Sequence, residues 1–227
     1  MVRAIFIHLP KTAGTSFRDA LTHGFGQQVV SPSFNASFMT ESEAEYLSRF
    51  EVICGHISFA DIQRFFADVP MLTVLREPVD RCLSWYYYAR NLQPLPHADV
   101  AAAQRYSVSD FFSLDQKITF RNIFNRQVRQ LGAHVLDTDT SMDQAFVQAT
   151  VTLKKCVWVG HYESLAQDMD RLGSVFPEMI GQSLKHLNVS PGRTRCTRDT
   201  GLELREKINR YNAYDIALCA AALCRHA

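Results

Sequence analysis

The chain has 227 residues, of which 47% are hydrophobic and 21% charged, and its formal net charge at pH 7 is +1. A chain of this length can bury one sizeable core, and no break in composition indicates a second domain. The near-neutral charge gives no general reason to expect a nucleic acid or an anionic membrane as a partner. An anionic ligand must therefore be bound by charges that are placed locally.

The cysteine pattern favours a reducing compartment. Six cysteines are scattered at irregular spacings without a Cys-x-x-Cys pair, which is too few for a disulfide scaffold. No segment approaches the roughly 20 apolar residues of a membrane helix, and the N-terminal apolar run is too short for a signal peptide. We therefore expect reduced thiols and a cytoplasmic protein without a transmembrane segment; a Golgi-lumenal domain trimmed of its anchor is the alternative.

Strands and helices alternate along the sequence. Short apolar runs predict strands at residues 4–9, 51–54, 71–75 and 156–160. Helices are predicted at residues 15–21, 43–50, 62–67, from 78 onward, and at 108–114, 119–131, 164–175 and 201–224. Because the strands are apolar throughout, we predict an α/β fold in which helices flank a central parallel sheet. Ligands of such folds bind where the strands end.

The first strand is followed by a loop suited to an anion. The stretch "HLPKTAGTSF", residues 8–17, runs from the strand end into a helix start. Backbone N–H groups at a helix N-terminus attract anions, Lys11 adds a full charge, and Thr12, Thr15 and Ser16 add hydroxyl donors. An ordinary turn in which a hydroxyl caps the helix is the weaker explanation for so many such groups in six residues.

A nucleoside-triphosphate P-loop does not explain this stretch. That motif places a lysine directly after its second glycine, whereas Lys11 lies three residues before Gly14. The strand that would end in a magnesium-binding aspartate ends in Arg76 instead. The spacing therefore excludes an ordinary Walker motif.

The stretch "HLPKTAGTSF" resembles the 5′-phosphosulfate-binding loop of sulfotransferases that use 3′-phosphoadenosine 5′-phosphosulfate. The similarity is to the group that contains heparan sulfate 2-O- and 6-O-sulfotransferases and related bacterial enzymes. A second stretch, "VLREPVDRCLSWYYYAR" at residues 74–90, is similar to the 3′-phosphate motif of that family. Two motifs in this order are far more specific than either alone. The resemblance implies a P-loop-like sulfotransferase fold, with residues 1–227 forming a single sulfotransferase domain.

The resemblance implies a set of residues that bind the donor, whose product is adenosine 3′,5′-bisphosphate. They are Lys11, Thr12, Ala13, Gly14, Thr15 and Ser16 for the 5′-phosphosulfate, and Arg76, Ser84 and Arg193 for the 3′-phosphate. Taken alone, Arg76 could form a surface ion pair with Glu77 or Asp80, and Ser84 could bond to its own helix. Arg193 lies in a basic loop for which solvent exposure is the commoner explanation.

The resemblance also implies catalytic roles for Lys11 and His56. His56, in "ICGHISF", matches a Gly-His segment that carries the catalytic base of related 2-O-sulfotransferases; a histidine bonded to a neighbouring carbonyl is the structural alternative. Lys11 would stabilise the charge that develops on the leaving oxygen. An unperturbed imidazole titrates near pH ~6.5, so activity is expected to fall as the pH drops through that region. No metal is expected, because a sulfuryl group carries less charge than a terminal phosphoryl group.

The sequence is compatible with several kinds of sulfate acceptor. A saccharide or a glycolipid is the expected partner, and a small alcohol is a further alternative. Arg121, Arg126 and Arg129 either face an anionic acceptor such as a uronic-acid polymer or form a solvent-exposed surface. The aromatic run at residues 85–88 is expected to pack in the core. A non-catalytic module that binds a phosphoadenosine nucleotide or a sulfated glycan, and a diverged nucleotide kinase, are the alternative functions.

Overall fold

The computed structural model describes residues 1–35, 38–93, 97–119, 121–134, 137–184 and 200–223. Its strands are β1 (Ala4–Ile7), β2 (Val52–Gly55), β3 (Met71–Leu75) and β4 (Cys156–His161). They form a parallel sheet in the order β2-β1-β3-β4. The predicted α/β fold with a central parallel sheet is therefore confirmed.

Helices connect the strands and cover the sheet. Those in the described part of the chain are α1 (Gly14–Phe25), α2 (Glu41–Leu47), α3 (Phe59–Phe65), α4 (Pro78–Arg90), α5 (Ala98–Arg105), α6 (Val108–Phe111), α7 (Gln116–Thr119), α8 (Arg126–Gly132), α9 (Met142–Lys155), α10 (Leu165–Val175), α11 (Leu202–Arg210) and α12 (Ala213–Leu223). Two 3-10 turns lie at Tyr162–Ser164 and Pro177–Met179. Within the described ranges, no helix combines the length and the apolar character needed to cross a bilayer.

Helices cover both faces of the sheet, and successive side chains of a strand point to opposite faces. In β1, Ile5 and Ile7 join a core formed with α8, α9 and α12. Ala4 and Phe6 join a second core, formed with α1 and α10 on the other face. Every residue of β1 and β3 is buried, which is why these strands could be recognised as apolar runs.

A third apolar cluster joins α4 to α5, α6 and α11. Trp85 and Tyr86 are buried in it, so the core packing expected of the aromatic run is confirmed for these two residues. Tyr87 packs against the cluster and is half-buried. The expectation is wrong for Tyr88, which is 43% exposed, because successive residues of a helix point in different directions.

Several predicted helices differ from the observed ones. The structure adds α5, α7 and α9 to those expected, and α9 begins with a capping box in which Ser141 and Gln144 bond to each other's backbone N–H groups. The helix predicted at residues 201–224 is two helices, α11 and α12. The helix predicted at residues 119–131 starts only at Arg126, because Asn125 has a left-handed φ of 39°.

Asn125 and Asp215 account for both of these breaks. The Asn125 side-chain oxygen accepts hydrogen bonds from the N–H groups of Tyr214 and Asp215, at 3.0 and 3.1 Å, at the start of α12. The Asp215 carboxylate accepts from the N–H groups of Gln127 and Val128, at 3.1 and 2.8 Å, at the start of α8. Each helix start thus receives its acceptor from the other segment, which satisfies buried donors and joins α8 to α12.

We predict that Asn125→Gly destabilises the fold without straining the backbone. Glycine tolerates the left-handed φ of this position but leaves two N–H groups of α12 without their acceptor. The free energy of unfolding in urea should fall by about 1–3 kcal/mol. Asn91→Gly, at the exposed end of α4, is the control and should change it by less than about 0.5 kcal/mol. Equal stability of the two variants would contradict the mutual capping.

Candidate active site at the carboxyl edge of the sheet

The order of the strands determines which loops meet. β1 lies between β2 and β3, and all three strands run in the same direction. Their carboxyl ends therefore share one edge, where Lys11 follows β1, His56 follows β2 and Arg76 follows β3. The structure brings these three predicted residues to a common edge, with the loop of Lys11 between the other two.

The loop after β1 is held in an uncommon conformation. Lys11 and Ala13 both have left-handed φ angles, 69° and 66°. Turns of this kind before a helix are typical of backbone concavities that bind anions. Ala13 makes no side-chain cap at α1, and a Cβ on Gly14 would lie 1.9 Å from the His8 ring, so any larger residue there would force that ring to move. Thr12 is buried, and its hydroxyl donates to the Leu9 carbonyl at 2.9 Å.

Arg76 joins the two loops that carry the sequence motifs. Its guanidinium is 3% exposed and donates to the Lys11 carbonyl at 2.7 Å. It also donates to the Asp80 carboxylate, through Nε at 2.7 Å and through Nη2. The Tyr162 ring, which follows β4, lies 3.7 Å from the guanidinium carbon. From the sequence alone, Arg76 could form a surface ion pair with Glu77 or Asp80. The pair with Asp80 is present but buried, and Glu77 caps α4 instead.

One face of α4 lies along this edge. Asp80, Ser84 and Tyr88 follow one another at intervals of four residues, which places them on the same side of the helix. The Lys11 ammonium nitrogen lies 4.0 Å from the centre of the Tyr88 ring, a cation–π contact. Sequence reasoning assigned Tyr88 no role, although its spacing of four residues from Ser84 was a usable signal.

His56 is held as a single tautomer. Its Nδ1 lies 2.6 Å from the carbonyl oxygen of His8, and the two imidazole rings stack with centroids 4.2 Å apart. A carbonyl oxygen can only accept, so Nδ1 of the neutral ring carries the proton and Nε2 keeps its lone pair. The structural alternative also expected His56 to donate a hydrogen bond to a neighbouring carbonyl. That same hydrogen bond leaves Nε2 able to take a proton.

Burial keeps both histidines neutral. The pKa of His56 is lowered to about 4, mainly by burial and also by the Arg126 charge, while the hydrogen bond to the His8 carbonyl opposes the shift. Burial also lowers the pKa of His8, with added effects from His56, Lys11 and Arg18. The titration near pH ~6.5 expected from sequence is therefore displaced to lower pH.

The arginines on and before α8 are not a solvent-exposed surface. Arg126 and Arg129 are 6% and 2% exposed, and Arg121 is half-buried, so that explanation is wrong for the first two. Burial and the neighbouring arginines lower the pKa of Arg126 to about 9.

Arg129 borders a cavity of about 240 Å³ whose other lining residues are Phe124, Ala133, Asp137, Thr138, Thr140, Ser141, Met142 and Ala145.

Some residues named in the sequence analysis lie outside the described ranges. Arg193 lies in the range 185–199, outside them, so its contact with the 3′-phosphate stays a prediction. Cys54, Cys82, Cys156 and Cys219 are free thiols, while Cys196 and Cys224 lie outside the described ranges. No group of three or more His, Cys, Asp or Glu side chains in the described part of the chain is placed to hold a metal ion.

Comparison with known proteins agrees with the motifs. No protein-family model matches the chain. Over 104 residues the chain is 31% identical to the heparan sulfate 2-O-sulfotransferase hst-2 of Caenorhabditis elegans. The expected resemblance to sulfotransferases is confirmed. The match covers 38% of this chain and 32% of the relative, so it spans about a third of the relative's length.

Two solved sulfotransferase structures are also similar. The mouse sulfotransferase SULT7A1 complexed with PAP is 13% identical, with a TM-score of 0.49 over 95% of this chain and 66% of that chain. A sulfotransferase from Alicyclobacillus acidocaldarius is 14% identical, with a TM-score of 0.45 over 97% of this chain and 95% of that chain.

We predict that the lowered pKa of His56 makes stability depend on pH. The unfolded side chain has a pKa near ~6.5, so between that pH and about 4 the unfolded chain binds a proton that the folded chain does not. The free energy of unfolding therefore falls as the pH falls through this window. Between pH ~7.5 and ~5, urea unfolding should show the wild type losing up to about 2 kcal/mol more than His56→Asn. The same loss in both proteins would contradict the shift.

Proposed function

We propose that the protein is a sulfotransferase that moves a sulfuryl group from 3′-phosphoadenosine 5′-phosphosulfate to a hydroxyl of a saccharide acceptor. The observation that carries the proposal is the arrangement at the carboxyl edge of the sheet. A neutral imidazole with a free Nε2 lone pair lies at the same edge as the Lys11 and Arg76 cations. We further propose that residues 1–227 act as one domain.

The residues of the first loop fit the 5′ end of the donor. The left-handed turn at Lys11 and Ala13 leads into α1, whose positive dipole end lies at Gly14, Thr15 and Ser16. The phosphosulfate anion at this point would meet backbone N–H groups and the Lys11 charge together. The buried Thr12 hydroxyl supports the loop itself, so its share in binding would come from its backbone N–H.

The residues of the second loop fit the 3′-phosphate. Arg76 offers a planar guanidinium, and Ser84 lies one turn after Asp80 on the helix face that Arg76 contacts. In the structure Asp80 is the anion that pairs with this guanidinium. A phosphate at the same place would share or displace that pairing, and the Ser84 hydroxyl would then be a second donor.

The proposed reaction assigns a defined task to each side chain. The donor supplies the sulfuryl group and leaves as adenosine 3′,5′-bisphosphate. His56 Nε2 takes the proton of the acceptor hydroxyl while the acceptor oxygen forms its bond to sulfur. Lys11 neutralises the charge that develops on the 5′-phosphate oxygen as its bond to sulfur breaks. Arg76, through the Lys11 carbonyl, holds the loop from which this ammonium extends.

Two observations support a saccharide as the acceptor. The relative matched in sequence is a heparan sulfate 2-O-sulfotransferase, and heparan sulfate is an anionic polysaccharide. The buried Arg129 borders a cavity whose lining includes Thr138, Thr140 and Ser141. These hydroxyl and guanidinium groups, with the Asp137 carboxylate in the same lining, suit the hydroxyls of a sugar.

We predict that Lys11→Ala and Ser84→Ala affect different kinetic constants. Lys11 meets charge that develops during transfer, so its loss should lower kcat by roughly 10²-fold or more. Ser84 contacts the donor equally before and during transfer, so its loss should raise the donor KM with little change in kcat. Steady-state transfer of labelled sulfate to sugar, lipid and phenol acceptors measures both. Arg76→Ala should change both constants, because Arg76 also holds the Lys11 carbonyl.

Three results, one from these kinetics and two from parallel nucleotide-binding and ATP assays, would reject the proposal. Wild-type kinetics in both Lys11→Ala and Ser84→Ala would mean that the donor does not bind at this edge. Binding of adenosine 3′,5′-bisphosphate without transfer to any acceptor would instead favour a non-catalytic module. Phosphate transfer from ATP would favour a nucleotide kinase.

A further inference from the structure

Helix α8 carries two fully buried glutamines, Gln127 and Gln130, three residues apart. Gln127 bonds to the backbone of Arg76: its Oε1 accepts from the Arg76 N–H at 3.1 Å, and its Nε2 donates to the Arg76 carbonyl at 3.0 Å. Gln130 reaches the ends of the other two strands. One helix therefore contacts all three loops of the candidate active site.

The three contacts of Gln130 determine the orientation of its amide. Its Nε2 donates to the carbonyls of His8 and Ile57, each at 3.1 Å. Its Oε1 accepts from the Arg126 guanidinium, also at 3.1 Å. An amide nitrogen has two protons and a guanidinium can only donate, so the reversed amide would lose all three bonds.

These contacts surround the backbone that holds His56. The His8 carbonyl that Gln130 bonds is the one that accepts from His56 Nδ1. Ile57, whose carbonyl is the other partner of Gln130, directly follows His56 in the chain. Gln130 therefore fixes both the acceptor of the ring proton and the backbone next to the ring.

We propose that Gln130 is a positioning residue for His56. By holding the His8 carbonyl and the Ile57 carbonyl, it keeps His56 in the tautomer with a proton on Nδ1 and a lone pair on Nε2. The inference rests on the proposed function, in which His56 Nε2 takes the acceptor's proton. Because Gln130 is fully buried, it would act only through His8, Ile57 and the ring, without touching the donor or the acceptor.

A purely structural role for Gln130 gives a different expectation. Buried carbonyls need partners, so losing Gln130 would lower stability in either case. Only a positioning role also changes the tautomer of His56, because a neutral imidazole adopts the tautomer that its hydrogen bonds select. The tautomer is therefore the measurement that separates the two roles, and it needs no enzymatic turnover.

The test uses nitrogen-15 labelled histidine in the full chain, at pH ~7.5, where His56 is neutral, without donor or acceptor. The wild type should show His56 protonated on Nδ1. Gln130→Met fills a similar volume but has no N–H group, and it should give His56 a mixture of both tautomers. Labelled-sulfate transfer by this variant should show kcat lowered roughly tenfold, with the donor KM within about twofold of wild type.

Gln127→Met is the matched control, because it removes an equally buried glutamine from the same helix. It should leave the His56 tautomer unchanged and raise the donor KM through Arg76. Gln130→Glu is the second variant: it keeps the shape and the Arg126 contact, but its carboxylate has no N–H to donate. It should change the tautomer as Gln130→Met does.

Several results would overturn the positioning role. They are a wild-type His56 protonated on Nε2, an unchanged tautomer in both Gln130 variants, and failure of both variants to fold, which would make Gln130 a core residue only. Failure of the proposed function is a separate result. If the wild type transfers no sulfate while both Gln130 variants change the tautomer, Gln130 still positions His56 and the assigned reaction is wrong.

Discussion

The mutual capping between Asn125 and Asp215 is the interaction on which the candidate site depends. It supplies acceptors to the buried first turns of α8 and α12, which would otherwise carry unpaired N–H groups. Burial raises the pKa of Asp215, and the Arg81 charge and hydrogen bonds from Val128 and Gln127 oppose that shift. With its start held in this way, α8 extends Gln127 toward the end of β3 and Gln130 toward the ends of β1 and β2. The positions of Arg76 and His56 therefore depend on contacts that neither side chain makes itself.

Positive charge is concentrated locally at this edge. The whole chain has a formal charge of only +1, yet the Lys11 and Arg126 charges help to lower the pKa values of His8 and His56, and Arg76 lies at the same edge in its pair with Asp80. Holding the Arg126 cation inside the protein has a cost, since burial and the neighbouring arginines lower its pKa to about 9. In the proposed reaction the anionic donor offsets part of that cost. The donor's charge would also raise the pKa of His56 above its value in the free protein, toward the range in which a general base works best.

The sequence was sufficient for the sheet and for the position of the main site residues, and the reason is physical. Strands buried on both faces are apolar throughout, and parallel strands end at one edge, so the amino-acid pattern alone assigns Lys11, His56 and Arg76 to that edge. The resemblance added their expected roles. The contacts that support these residues could not be predicted from local sequence patterns. Asn125 and Asp215 are 90 residues apart in the sequence, and Gln130 and His8 are 122 apart. The break between α11 and α12 was missed for the same reason, since its partner lies on another segment.

Single-turnover sulfate transfer by His56→Asn tests the proposed role of His56 most directly. Asparagine keeps a polar group of similar reach but cannot take a proton from the acceptor. The rate of transfer should fall by roughly 10²–10⁴-fold, while calorimetry should show an affinity for adenosine 3′,5′-bisphosphate close to that of the wild type. His23→Asn, a replacement on the exposed part of α1, is the control and should transfer sulfate at the wild-type rate. Near-normal transfer by His56→Asn would contradict its role as the base, and joint loss of nucleotide binding and thermal stability would make it a structural histidine.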